Sequence, residues 1–65
     1  MRISLNGEPH AFEGGSLDAL LASLSLSSGG VAVAVNRQVV PRAALPTTTL
    51  RPGDAVEIVR ASPGG

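Results

Sequence analysis

The sequence predicts an α+β domain in which a mixed sheet is covered on one face by a single short helix, and three observations carry that expectation. Met1, Ile3 and Leu5 alternate with Arg2, Ser4 and Asn6, the period of two expected for a strand with one buried face. Leu17, Leu20, Leu21 and Leu24 fall at i, i+3, i+4 and i+7 and make one apolar stripe on a helix. Val31-Ala32-Val33-Ala34-Val35 is β-branched, almost wholly apolar and too short for an ordinary helix, so it reads as an interior strand. The chain has 65 residues, which makes one domain near the small end of what folds unaided. Only about 60% of the unfolded surface is buried at that size, leaving no room for an enclosed substrate pocket.

The connections give the order of the elements. Asn6-Gly7 is the strongest two-residue hairpin signal, because both residues tolerate the positive φ of a type I′ turn. A loop of those two residues sets Leu5 opposite Glu8, Ile3 opposite His10 and Met1 opposite Phe12 on one side of the sheet, and Pro9 marks the returning strand as an edge. After the Glu13-Gly14-Gly15 break, Ser16 is the natural N-cap and Asp18 complements the helix dipole; Ala19 rules out a capping box. Residues 25–30 are turn-rich. Asn36-Arg37 turns the chain into a short strand, Gln38-Val39-Val40, which Pro41 ends. Residues 42–50 show no sustained period and read as a loop or a single helical turn. Arg51-Pro52-Gly53-Asp54 has Pro and Gly at the central positions of a type II turn. The last strand covers 55–60, with Val56 and Ile58 facing the helix and Glu57 and Val59 on the other face beside Ala32 and Ala34.

Composition excludes several classes of function. Five arginines balance five acidic residues, and Phe12 is the only aromatic, so neither a basic footprint nor a stacking platform for nucleic acid exists. Cysteine is absent, which removes disulfides, thiolate metal sites and a thiol nucleophile. No run approaches the roughly 18 apolar residues of a membrane span, and residues 1–4 lack a signal-peptide h-region, so a cytoplasmic location is expected. Lysine is also missing. That absence protects a carrier of an activated acyl group from acylating its own side chains, and it equally fits a genome rich in Arg codons.

Side-chain chemistry is sparse. His10 is the only histidine and reads as structural, and Glu8, Glu13, Asp18, Asp54 and Glu57 form no recognisable pair. No catalytic residue, metal site or bound cofactor is expected, and Gly14-Gly15 and Gly29-Gly30 lack the spacing of a phosphate loop. The terminal Gly64-Gly65 is the feature whose position matters most, and taken alone it reads either as a functional chain end or as a frayed, glycine-rich one. At a glycine frequency of about 7%, two terminal glycines occur by chance in roughly one protein in two hundred. Lacking Cβ atoms, they let a chain end pass a constriction and bring its carboxylate to the α-phosphate of ATP in a partner enzyme. Fully extended, Ala61-Ser62-Pro63-Gly64-Gly65 spans about 16–18 Å. The expected organisation is therefore a domain over 1–60 and a flexible tail over 61–65, with Gly65 bearing the working group and Gly64, Pro63 and Ser62 threading it.

Along its whole length the chain resembles the ThiS sulfur carriers of thiamine biosynthesis. The resemblance runs through the first strand and hairpin, Val31-Ala32-Val33-Ala34-Val35-Asn36 leading to Val40-Pro41-Arg42, Gly53-Asp54-Ala55-Val56-Glu57-Ile58-Val59, and Gly64-Gly65. It implies a ubiquitin-like β-grasp fold with the first and last strands parallel. It also implies that a ThiF-like, E1-related enzyme uses ATP to adenylate Gly65, that a cysteine-desulfurase route delivers sulfur, and that a ThiG-like thiazole synthase accepts it from a thiocarboxylate. The carrier would then be a co-substrate of these partners and no enzyme itself. The molybdopterin-synthase small subunit shares the fold and tail, and a carrier for tRNA thiolation would look similar. A ubiquitin-like interaction module that is never activated is the non-carrier alternative. Ser62-Pro63 departs from the family pattern: the proline stiffens the tail and removes one backbone donor. For the face formed by Ala32, Ala34, Glu57 and Val59, two readings stand: a partner docking surface or an ordinary exposed sheet face.

Overall fold

Asn6 and Gly7 take φ values of 51° and 85°, and this two-residue turn joins β1 (Arg2–Leu5) to β2 (Glu8–Ala11). The antiparallel register pairs Ile3 with His10 and Leu5 with Glu8, as the turn length requires. Met1 and Phe12 extend it: each backbone nitrogen donates to the other residue's carbonyl, at 2.8 and 2.9 Å. The computed structural model describes residues 1–60. Its mixed sheet has the order β2-β1-β5-β3-β4, with β3 at Val31–Val35, β4 at Gln38–Val40 and β5 at Ala55–Arg60. The first and last strands are parallel, β3 is interior, and Pro9 lies on an edge strand.

Helix α1 (Leu17–Ser23) begins where Ser16 Oγ accepts a hydrogen bond from Ala19 N at 3.1 Å. It ends in a Schellman arrangement. Leu26 N donates to Leu21 O and Ser25 N to Ala22 O, with Ser25 holding the left-handed conformation at φ 59° that glycine usually supplies. Leu17, Leu20 and Leu21 are buried, and Leu24 is partly buried against them. A 3-10 turn, Ser28–Gly30, leads into β3.

Two further leucines complete the core from the segment without periodicity. Residues Arg42–Thr47 form a 3-10 helix that packs on α1, which places Leu45 and Leu50 among the buried side chains with Ile3, Phe12, Val33 and Val56. Backbone bonds lock this segment to the helix start, from Leu17 N to Thr48 O at 2.9 Å and from Leu50 N to Gly15 O at 3.0 Å. The Arg51-Pro52-Gly53-Asp54 turn closes with Asp54 N on Arg51 O, and Gly53 holds φ 87°, the type II geometry expected there.

Candidate functional site

β5 is the last described element and ends at Arg60. Its side chains alternate as expected: Val56 is buried and Ile58 packs on the core, whereas Glu57 and Val59 are exposed. The antiparallel partner β3 follows β5 to its end, from Val35 opposite Val56 to Val31 opposite Arg60. The parallel partner β1 stops early, pairing Ser4 with Ala55 and Leu5 with Val56.

The two asparagines of the hairpin turns grip β5 at opposite ends. Asn36 Oδ1 accepts from Ala55 N at 3.0 Å and Asn36 Nδ2 donates to Asp54 Oδ1 at 3.1 Å. Asn6 Oδ1 accepts from Ile58 N at 2.8 Å while its Nδ2 donates to Ile58 O at 3.2 Å. Both turns hold positive φ at their two central positions, including Arg37 at 71°. Sequence reasoning assigned the asparagines to turns and missed their side-chain contacts, which depend on β5 running between β1 and β3.

On the face away from the helix, Ala32 lies opposite Val59 and Ala34 opposite Glu57, so the four residues expected to share a face do so. Val39 joins them across the sheet from Ala34. Together with Val33 they line a shallow depression of about 200 Å³. Val39 and Val59 are 78% and 64% exposed, so the apolar character of this face rests on residues that no other described residue covers. Val39 could have been found from the alternation Gln38-Val39-Val40, in which Val40 turns inward. His10 is half-buried on edge strand β2 opposite Ile3, and among the described residues no group of three or more His, Asp or Glu could hold a metal ion. Ser62, Pro63, Gly64 and Gly65 lie outside the described residues.

The ThiS family model matches residues 3–65, nearly the whole chain. The chain belongs to the ThiS family. It is 39% identical over 61 residues to the sulfur carrier protein ThiS of Thermus thermophilus, covering 94% of this chain and 95% of that protein. A thiazole synthase from Magnetococcus marinus is 41% identical over 66 residues, an alignment that takes in 100% of this chain but only 20% of the synthase. Among solved structures, the crystal structure of the thiamine biosynthesis protein ThiS from Geobacter metallireducens superposes with a TM-score of 0.86 at 32% identity, covering both chains completely. The solution structure of a thiamine biosynthesis protein from the same organism gives 0.83 at 33% identity, covering 100% of this chain and 88% of that one. The five-stranded mixed sheet with its covering helix is thus the ubiquitin-like β-grasp of ThiS proteins.

Proposed function

We propose that this ThiS-family chain is a sulfur carrier for thiazole formation, with the domain over 1–60 presenting a tail over 61–65 that ends in the working carboxylate of Gly65. The observation that carries this reading is the family match running from residue 3 through Gly65. The thiazole synthase that contains a stretch similar to this whole chain supports a ThiG-like acceptor, because a carrier-like segment and a synthase share one polypeptide there.

The chemistry follows from the carboxylate. A Gly65 oxygen attacks the α-phosphorus of ATP in a ThiF-like enzyme, and pyrophosphate leaves. The terminal sulfur of a persulfide, supplied through a cysteine-desulfurase route, then attacks the acyl carbon and displaces AMP. A thiol cleaves the resulting acyl disulfide and leaves the thiocarboxylate. Gly64 and Gly65 let this end enter a narrow site without a Cβ clash, and Ser62-Pro63 stiffens the approach. The exposed face of Ala32, Ala34, Glu57 and Val59 is the surface on which a partner holds the domain during that step. No cofactor is required within the carrier, since ATP belongs to the activating enzyme.

ATP–pyrophosphate exchange with a ThiF-like enzyme tests the reading. The full chain should support exchange, and the chain lacking Gly65 should lose it while keeping its circular dichroism spectrum. Exchange at the full rate without Gly65 would remove the carboxylate from the mechanism.

A further inference from the structure

We propose that Asn6 is a positioning residue for the tail: its carboxamide replaces the missing continuation of β1 and fixes the direction in which the chain leaves β5. The inference rests on the carrier reading above and adds a residue to it.

The backbone geometry makes the case. In the β3–β5 ladder Ala55, Glu57 and Val59 turn their N–H and C=O groups toward β3, as the bond from Asn36 N to Ala55 O at 2.7 Å shows for this register. Val56, Ile58 and Arg60 therefore turn theirs toward β1. Val56 O is taken by Asn6 N at 2.9 Å, and that is where β1 bends into its turn. Both polar groups of Ile58 would be left without a strand partner. The Asn6 side chain supplies one, accepting from the N–H and donating to the C=O, the two bonds that successive peptide groups of a longer parallel β1 would make.

No other described element takes this role. Beside the clamp an open groove of about 390 Å³ separates β5 from the end of the helix, lined by Leu5, Asn6, Leu24, Leu26, Ile58 and Arg60. On that side Asn6 is the last group that bonds the β5 backbone among the described residues, only three residues before the tail begins. With the clamp in place β5 is held from both sides through Ile58. Without it, the end of β5 hangs on β3 alone and presents itself to a partner in a less fixed orientation. A held exit direction lowers the entropy lost on threading and so acts on productive capture of the tail more than on the chemical step.

Asn36 provides the matched control. It has the same residue type, a similar positive φ and a side-chain bond to the same strand, but at the end away from the tail. Asn6→Gly and Asn36→Gly both keep turns that tolerate positive φ. Steady-state kinetics of ATP–pyrophosphate exchange with a ThiF-like enzyme, using the full chain as the varied substrate, separates the roles. Asn6→Gly should raise KM about fivefold or more with kcat nearly unchanged, whereas Asn36→Gly should change KM by less than about twofold. Amide hydrogen exchange of Ile58 should accelerate in Asn6→Gly alone. Equal KM values for both variants, whether both unchanged or both raised, would overturn the proposal. Absence of exchange with the wild-type chain would instead strike the carrier reading, and this inference with it.

Discussion

Leu45 is 1% exposed and is one of nine buried apolar side chains among the described residues, so in a domain this small it carries a large share of the stability. It reaches the core from a 3-10 helix that also holds Pro46, and the segment is tied down by Thr48 Oγ1 donating to Ala44 O at 2.7 Å. Leu45→Ala should cost about 2–5 kcal/mol, measured by chemical denaturation, because the sheet and helix around it are fixed by backbone bonds and cannot collapse into the cavity. A loss below about 1 kcal/mol would mean that the segment is not part of the cooperative unit. The sequence hides this role for a physical reason. The leucines at 45 and 50 are separated by a proline and three threonines, and their burial depends on contacts with α1 that no local period encodes. Leu17, Leu20 and Leu21 were legible because a regular helix repeats its buried face every turn.

Among the elements, β5 connects fold to function. Its boundaries at Ala55–Arg60, its inward Val56 and Ile58 and its outward Glu57 and Val59 follow from alternation alone. Its parallel pairing with β1 does not, since periodicity is blind to strand direction; family resemblance supplied that expectation and the register confirms it. The side-chain grip of Asn6 on Ile58 was equally out of reach, being a contact across 52 residues. On the outward face Val59 is 64% exposed, so Val59→Asp should alter stability by about 1 kcal/mol or less. If the face docks partners as proposed, the same substitution should weaken binding to the adenylating enzyme or the thiazole synthase by about tenfold, because it buries a charge in an apolar contact. Titration calorimetry with unchanged affinity for both partners would leave an ordinary exposed face.

At the scale of the whole molecule, the carrier reading proposed above has the chain present a group to its partners. Its described residues contain no metal-binding cluster and no helix long and apolar enough to cross a membrane, and its formal net charge is zero. The core takes up the apolar residues of the helix, the interior strands and the 3-10 helix, and the working group proposed above is the carboxylate of Gly65, outside the described residues. The decisive measurement is the intact mass of the protein isolated from its native host, followed by fragmentation of the chain. The carrier reading predicts a fraction heavier by the exchange of one oxygen for one sulfur, with the gain confined to the fragment containing Gly65. A sulfur gain in a fragment without Gly65, or only the free carboxylate while thiazole synthesis is active, would contradict it.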